Sequence, residues 1–270
     1  SLGLVGSEMC IRDSGQPYFG HLRGRYSKAE LKQIDAYAAA HGMQVIPCIQ
    51  TLAHVNALFH WPVYREIHDA ADILLTGDER TYALVDGMFR TLRECLRTNI
   101  VNIGMDEADL LGLGKYLTLH GYRDRFSILM EHLRRVSEMA KKNGFELLMW
   151  GDMFFRLAGG DYFTNFSQNP KLGEIPEEVR QLVPENIHLV YWDYFSRDRQ
   201  SYERNIDAHN AIKSGSWFAG GLWTWAGFAP HNTFSIATMR EAMKACHAKG
   251  VENVVMTCLL YTSPSPRDRG

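Results

Sequence analysis

The sequence predicts an α/β fold, a (β/α)8 TIM barrel that lacks its first strand and the end of its last strand. Three observations lead to this prediction. Short apolar, β-branched runs alternate with longer amphipathic segments, which is typical of parallel strands joined by helices. The chain has 270 residues, 46% of them hydrophobic, enough for one barrel of the usual size of about 250 residues. Polar and aromatic residues recur just after the strands, where such barrels place their chemistry.

Six strands separated by helices are expected in the middle of the chain. Ser27 and Glu30 have the spacing of a capping box that begins a helix, and glycines follow three of the apolar patterns at Gly42, Gly144 and Gly250. The alternation also fits an open doubly wound sheet, but the strand number and the chain length favour the barrel. The predicted helices are 27–41, 79–97, 125–143, 177–182, 201–212 and 235–249. The predicted strands are 43–49, 100–103, 145–150, 187–192, 217–222 and 251–257.

Both ends of the chain differ from its middle. Residues 1–14 have neither a clear period nor a secretory pattern, and residues 258–270 turn from a strand into a run rich in Pro, Ser and Arg. Both segments resemble translated sequencing-adapter sequence. We therefore predict a partial barrel over residues 15–257 between two non-native segments, with Cys10 and Cys258 outside the natural protein.

The composition excludes several classes of partner. The 29 basic and 31 acidic residues give a net charge of -2, so we expect no binding to nucleic acid or to a membrane surface. No run of 18 apolar residues is present, and no membrane span is expected. The five cysteines are scattered without a CxxC pair, which favours reduced thiols and a cytoplasmic protein. We expect no metal and no cofactor.

The most informative stretch is the strand 100–103 followed by Gly104, Asp106 and Glu107. Gly104 lacks a side chain at a point where another group can approach the backbone closely. Neighbouring side chains on an extended backbone point in opposite directions. We therefore expect the two carboxyls to have different surroundings, so that one stays charged while the other holds a proton near neutral pH. The alternative is an acidic helix start.

Other predicted strands end in residues of similar character. Acids that act on a glycosidic bond, beside aromatic walls that stack on a sugar ring, suit a carbohydrate site. Taken singly, the histidine is more commonly a core residue, the first tryptophan is equally well a core residue, and the two aspartates are equally well caps. The residues at these other strand exits are His54, Trp150, Asp152, Trp192, Asp193, Tyr194, Trp223 and Trp225.

As a set, these residues resemble glycoside hydrolase family 20, the β-N-acetylhexosaminidases, and most of all the smaller branch without an extra N-terminal domain. The H-x-G-G-D-E motif of that family corresponds to Asn102-Ile103-Gly104-Met105-Asp106-Glu107. The resemblance covers essentially residues 15–257. Its other motifs are Tyr18-Phe19-Gly20, Cys48-Ile49-Gln50-Thr51-Leu52-Ala53-His54, Leu111-Gly112-Leu113-Gly114, the segment 150–155, and Trp192-Asp193-Tyr194.

The resemblance implies retaining exo-hydrolysis of terminal β-linked GlcNAc or GalNAc by substrate-assisted catalysis. The 2-acetamido oxygen of the substrate would attack the anomeric carbon and form an oxazolinium ion. Asp106, Glu107 and Tyr194 would be catalytic: Glu107 as acid and then base, Asp106 toward the acetamido N–H, and Tyr194 toward the acetamido oxygen. The substrate-binding residues would be His54, Trp150, Asp152, Trp192, Asp193, Trp223 and Trp225. The partner would be a β-N-acetylhexosaminide.

The chain departs from the family pattern at two positions. Asn102 stands where the family usually has His, and it can donate a hydrogen bond but cannot be a cation. Asp109 stands where close relatives tend to carry His. If it lies near Glu107, its negative charge raises the pKa of that acid.

Three other functions compete with this one. Asp106-Glu107-Ala108-Asp109 also spells the acidic box of RNA helicases, but the G-x-x-x-x-G-K-[ST] loop that must precede it is missing. A metal-dependent barrel hydrolase would use His54, Asp106, Glu107 and Asp152 as ligands, although no HxH or HExxH motif supports it. A carbohydrate-binding relic would keep the aromatic pocket without turnover.

Overall fold

Strands and helices alternate in the computed structural model, which describes residues 2–5, 18–19, 26–158, 177–225 and 229–257. The strands are β1 (Leu2–Val5), β2 (Gln44–Pro47), β3 (Ile100–Asn102), β4 (Glu146–Trp150), β5 (Ile187–Trp192), β6 (Trp217–Gly221) and β7 (Val254–Thr257). The helices are α1 (Lys28–Ala40), α2 (Asn56–Phe59), α3 (Glu79–Cys95), α4 (Lys115–His120), α5 (Arg125–Lys142), α6 (Asp152–Ala158), α7 (Glu177–Leu182), α8 (Arg199–Ile212) and α9 (Asn232–Ala248). A 3₁₀-helix spans Pro62–Ile67.

All described strands run parallel and follow one another in chain order. β1 pairs with β2, and β3 to β7 form a continuous parallel sheet. A parallel bridge between Cys48 and Asn102 joins the two sheets, and the Ile49 N–H donates to the backbone carbonyl oxygen of Asn102 at 2.8 Å. In the described residues, β7 and β1 are not paired with each other. The architecture is therefore the predicted (β/α)8 barrel in truncated form, with the carboxyl ends of its strands on one side.

The core lies on both faces of the sheet, as parallel strands require. Leu147 and Leu148 of β4 and Leu189 of β5 are fully buried. Helices α1, α3 and α5 pack side by side against the first strands, and α8 packs on α9 over the last ones. The apolar stripe expected on α3 is buried, at Tyr82, Val85, Phe89 and Leu92. Because the strand bodies are filled with apolar side chains, the polar groups of the site are confined to the strand ends.

The six predicted strands and six predicted helices are all present, with ends within three residues of those expected. The capping box of α1 is confirmed: the Ser27 N–H donates to Glu30 Oε2 at 2.6 Å, and the Glu30 N–H donates to Ser27 Oγ at 3.2 Å. The sequence did not predict α2, α4, α6 or the 3₁₀-helix. These elements are short, and too few turns are present for a helical period to emerge.

One part of the fold prediction is corrected. We expected no strand before residue 15, but β1 lies at Leu2–Val5 and pairs with β2 from Leu2 beside Gln44 to Val5 beside Pro47. The physical reason is that the edge of a sheet presents unpaired N–H and C=O groups, which a short apolar extended segment can satisfy. The prediction that residues 1–14 are non-native is not tested by this pairing. The other such segment, residues 258–270, lies outside the described residues.

Within the described part of the chain, no helix combines the length and the apolar character that a membrane span requires.

Candidate active site

The loop after β3 carries the two adjacent acids and has an unusual backbone. Gly104, Met105 and Glu107 have φ angles of 69°, 67° and 51°, which lie in the left-handed region. Alternation of side chains applies only to extended backbone. Our expectation that Asp106 and Glu107 point in opposite directions is therefore wrong. The turn brings both carboxylates toward the same partner, His54.

Close approach at Gly104 is confirmed. A Cβ atom at this position would lie 1.9 Å from Gln50 Oε1. Gln50 uses this space to reach Asp106, with Nε2 lying 3.5 Å from Asp106 Oδ1. The Gly104 N–H donates to Asn102 Oδ1 at 2.8 Å. Asn102, which replaces the usual family histidine, is thus a buried acceptor that holds the turn before the acids.

Replacing Gly104 by alanine is expected to destabilise the protein by about 3 kcal/mol, because the left-handed backbone penalises a Cβ and the Gln50 amide blocks it. Gly215→Ala is the matched control. Gly215 also has a positive φ, of 77°, but a Cβ there would meet nothing within 4 Å. It should lose only about 1 kcal/mol. Urea unfolding measures both values, and equal losses would show that contact with Gln50 contributes nothing.

His54 connects three carboxylates. Its Nε2 lies 3.2 Å from Asp106 Oδ2 and 3.5 Å from Glu107 Oε2, and its Nδ1 lies 3.4 Å from Asp72 Oδ2. The hydrogen bond to Asp106 raises the pKa of His54 to about 9, with help from the charges of Asp106, Asp72 and Glu107 and against the effect of burial. The imidazole is therefore a cation at neutral pH. It lies among the acids at the strand ends, and its predicted role in substrate binding stays a prediction.

Glu107 and Asp106 have different surroundings, as expected. Burial is the largest cause that raises the pKa of Glu107, and the charge of Asp106 acts in the same direction. The charges of His54 and Arg156 oppose this rise. Glu107 is the more exposed of the two acids, at 37% against 19%. An accessible carboxyl with a raised pKa is suited to donating a proton near neutral pH.

Asp152, predicted to bind substrate, is instead buried beneath Glu107. Its side chain is 0% exposed, and its Oδ2 accepts the Glu107 N–H at 3.0 Å. Its Oδ1 lies 3.4 Å from Trp192 Nε1, which donates to it. Burial, followed by the charge of Asp106, raises the pKa of Asp152 to about 7. Because solvent cannot reach this carboxyl, we correct its role to one of holding the Glu107 backbone.

Arg156 is a site residue that the sequence analysis did not identify. It lies one helical turn after Asp152 on α6, and its Nε is 3.1 Å from Asp152 Oδ2. The same guanidinium contacts Asp109 and Glu107. An acid at the start of a helix with a base four residues later was a signal available in the sequence. Its meaning depends on α6, which was not predicted.

Two further partners were also missed. Asp72 contacts His54, but it lies in an irregular loop that no local pattern marks. Gln50 belongs to a motif used for the family resemblance, yet its contact with Asp106 follows only from the turn at Gly104.

Aromatic side chains form one wall beside the acids. The Tyr194 ring lies 5.3 Å from Trp192 and 5.5 Å from Trp225, measured between centroids. Trp223 stacks on Trp225 at 5.2 Å, and its Nε1 donates to the backbone carbonyl oxygen of Tyr194 at 2.7 Å. Trp150 is half-buried at the end of β4, and its backbone N–H donates to the Gly104 carbonyl oxygen at 3.2 Å. Four of the predicted aromatic residues therefore meet at the strand ends, and Trp150 lies at the end of the neighbouring strand β4.

Tyr194 keeps its proton. Burial raises the pKa of its phenol above the usual range, and the charges of Asp106 and Glu107 add to this effect. A hydrogen bond with the Thr257 side chain acts in the opposite direction. A neutral phenol near the two acids can donate a hydrogen bond to a substrate oxygen.

The structure does not bring Asp193 into the acid cluster. Its carboxylate accepts from the Tyr191 hydroxyl at 2.7 Å and from the N–H groups of Phe195 and Ser196 at 2.8 and 2.9 Å. The Ser196 hydroxyl also donates to it, at 2.6 Å. These contacts give Asp193 the capping role that was its alternative, and we withdraw it as a substrate contact.

A metal ion could also be held by part of this cluster. One ligand atom from each of His54, Asp106 and Glu107 lies within 4.8 Å of the others. Asp152, the fourth ligand of the metal alternative, directs its Oδ2 to the Glu107 N–H. The donor set is therefore His and two carboxylates, and the imidazole must lose its proton before it can bind a metal.

Acids and aromatic walls at the carboxyl ends of a parallel barrel are features that barrel glycoside hydrolases share. The family model "Glycosyl hydrolase family 20, catalytic domain" matches residues 2–257. The chain belongs to this family. The match includes residues 2–14, which we predict from their composition to be non-native, so the domain boundary stays a prediction.

Two curated relatives carry the same name. Hexosaminidase D from Bos taurus is 28% identical over 232 residues, covering 79% of this chain and 59% of the bovine protein. Hexosaminidase D from Homo sapiens is 25% identical over 212 residues, covering 73% of this chain and 38% of the human protein. The chain thus matches only part of the length of each relative.

Solved structures share the fold. An exo β-N-acetylglucosaminidase from Vibrio harveyi in complex with N-acetylglucosamine has a TM-score of 0.60 at 13% identity, covering 96% of this chain and 45% of the other. A mutant β-hexosaminidase from Streptomyces plicatus in complex with its product GlcNAc has a TM-score of 0.58 at 18% identity, covering 97% and 52%. At such identities the likeness shows the fold alone.

Proposed function

We propose that this protein is a retaining exo-β-N-acetylhexosaminidase that removes terminal β-linked GlcNAc or GalNAc by substrate-assisted catalysis. The observation that carries the proposal is the convergence of Asp106 and Glu107 at the carboxyl end of β3 in a member of family 20. The names of the two relatives, and the GlcNAc in the titles of solved neighbours, support a carbohydrate substrate.

Glu107 is the general acid and then the general base. In the first step it gives its proton to the glycosidic oxygen as the bond to the anomeric carbon breaks. In the second step the resulting carboxylate takes a proton from the attacking water. The raised pKa of Glu107 supports this role, since the acid form must exist near the working pH.

Asp106, held by its contact with the His54 cation, acts on the 2-acetamido group. It accepts a hydrogen bond from the acetamido N–H and stabilises the positive charge of the oxazolinium ion. The acetamido oxygen is the nucleophile and belongs to the same bound sugar, so its effective concentration is high. A second carboxylate at about 5 Å, as in ordinary retaining enzymes, is therefore not required.

Tyr194 donates its phenolic hydrogen to the acetamido oxygen and aligns it for attack. Trp150 and Trp225 line the pocket for the acetamido group and the sugar ring, with Trp223 packed behind Trp225. Flat aromatic faces suit the apolar faces of a pyranose. His54 holds the two acids together rather than contacting the reacting carbon.

The test is release of 4-nitrophenol from its N-acetyl-β-glucosaminide and N-acetyl-β-galactosaminide by the purified 270-residue protein. We expect turnover that is unaffected by EDTA and blocked by a thiazoline that mimics the oxazolinium ion. Loss of turnover in EDTA would favour the metal-dependent hydrolase that His54, Asp106 and Glu107 could support. Sugar binding without turnover would favour the carbohydrate-binding relic.

We also propose a cytoplasmic location. Cys48, Cys95 and Cys246 are buried and unpaired, which suits a reducing compartment. Fractionation of cells that produce the protein tests this proposal.

A further inference from the structure

We propose that Arg156 is a positioning residue that holds the Glu107 carboxylate in place, and that Asp109 competes with Glu107 for the same guanidinium. The inference rests on the proposed role of Glu107 as the catalytic acid. It concerns a contact made from α6, the helix that follows β4, to the loop that follows β3.

The geometry places one cation among three acids. Arg156 Nη1 lies 2.6 Å from Asp109 Oδ1, its Nη2 lies 3.7 Å from Glu107 Oε1, and its Nε lies 3.1 Å from Asp152 Oδ2. The guanidinium is a rigid planar fork, so its three nitrogens move together. Tightening the contact with one acid therefore changes the distance to the others.

Burial makes this arrangement specific. The Arg156 side chain is only 10% exposed, whereas Asp109 is 63% exposed. The Asp152 carboxylate below it is fully buried and also accepts the Glu107 N–H. Arg156 is thus anchored from beneath by the group that holds the Glu107 backbone. Its outer end is shared between Glu107 and a solvent-facing acid.

In the described part of the chain, charged or titratable groups lie near Glu107 on several elements. Its own loop contributes Asp106 and Asp109, and the loop after β2 contributes His54, which Asp72 contacts on its other side. Helix α6 contributes Asp152 and Arg156, and the segment after β5 contributes Tyr194.

In this set, His54 and Arg156 are the cations. His54 is engaged with Asp106 and Asp72 as well as with Glu107. His54 contacts Oε2 of Glu107, whereas Arg156 contacts Oε1. Helix α6 carries no second basic residue that could replace Arg156.

Arg156 and Asp109 change the pKa of Glu107 in opposite directions. The positive charge of Arg156 favours the ionised form of Glu107 and lowers its pKa. The negative charge of Asp109 disfavours that form and raises the pKa. Asn in place of Asp109 removes the negative charge and also releases Arg156 toward Glu107, and both changes lower the pKa. Met in place of Arg156 raises it.

The experiment compares Arg156→Met, Arg156→Lys and Asp109→Asn with the unmodified protein. The control is Arg134→Met, at an exposed arginine of α5 that pairs with Glu138. The first readout is kcat/KM against pH, whose alkaline limb reports the acid form of Glu107. We expect the limb to move to higher pH in Arg156→Met and to lower pH in Asp109→Asn, with kcat about tenfold lower in Arg156→Met. Arg156→Lys should restore the position of the limb.

The second readout does not need turnover. The Glu107 side-chain carboxyl is titrated by ¹³C NMR in each variant, with Glu107→Gln used to assign its signal. Opposite movements of its pKa in Arg156→Met and Asp109→Asn support the inference. Unchanged titration, or movement in the same direction, overturns it.

The two proposals can fail separately. If the unmodified protein shows no turnover but Glu107 titrates as expected in the variants, the enzymatic function fails and the inferred coupling stands. If turnover is present and its pH profile is the same in every variant, Arg156 is only a structural residue. Should Arg156→Met fail to fold, two variants remain: Asp109→Asn, at an exposed residue, and the conservative Arg156→Lys. The direction in which the Glu107 pKa moves in Asp109→Asn then supports or overturns the inference.

Discussion

Glu107→Gln is expected to lower kcat about 10³-fold on an N-acetyl-β-glucosaminide with a poor leaving group, such as N,N′-diacetylchitobiose, whose leaving group is a sugar alcohol. Glutamine keeps the size of the side chain but cannot deliver a proton. The Glu107 N–H that donates to Asp152 belongs to the backbone and is unaffected. Steady-state kinetics at the pH optimum of the unmodified protein measures this loss.

The leaving group separates proton donation from other effects. 2,4-Dinitrophenolate departs from its glycoside without protonation, so Glu107→Gln should process the 2,4-dinitrophenyl substrate far better than N,N′-diacetylchitobiose. Glu138→Gln is the control, since Glu138 is an exposed residue of α5. If Glu107→Gln lost the same factor on both substrates, Glu107 would not be the acid. The metal alternative, in which Glu107 is a ligand, would then gain support.

Asp106→Asn is expected to lower kcat by about 10² to 10³-fold on both substrates, because a fixed charge that faces the oxazolinium ion acts whatever the leaving group is. The same change removes the strongest partner of the His54 cation, at 3.2 Å. Affinity for the thiazoline inhibitor, measured by calorimetry, should fall in parallel with kcat.

Asp207→Asn provides the matched control for that substitution. Asp207 is an exposed residue of α8 that pairs with Lys249 at 2.5 Å. Its replacement should leave kcat and the affinity for the thiazoline unchanged. A thiazoline affinity that stayed normal in Asp106→Asn would contradict the proposed contact with the acetamido group. The two catalytic substitutions therefore have different signatures, one dependent on the leaving group and one independent of it.

The predictions that succeeded depend on short stretches of sequence. The capping box of Ser27 and Glu30, the apolar stripe of α3 and the β-branched run of β3 are each written within a few residues. Because parallel strands end on the same side, their exits could be grouped before any distance was known. This reasoning brought together Asp106, Glu107 and the aromatic residues without further information.

The predictions that failed depend on backbone angles and on contacts distant in sequence. Asp106 and Glu107 converge because Met105 and Glu107 adopt positive φ, a conformation that non-glycine residues seldom adopt and that sequence patterns do not mark. Asp152 and Asp193 both follow strands, yet the first lies beneath Glu107 and the second caps its own loop. Their sequence contexts alone could not distinguish these two positions.

The sequence by itself determined the order of the strands and helices, the family, and the acid pair at the end of β3, because these follow from local periodicity and from a motif of adjacent residues. Only the tertiary structure decided which groups surround Glu107. His54 and Arg156 lie about 50 residues away from it on either side in the chain, and their charges reach it only after the barrel has folded. Electrostatic effects depend on distance in space, so the acidity of the site is a property of the fold and not of the motif.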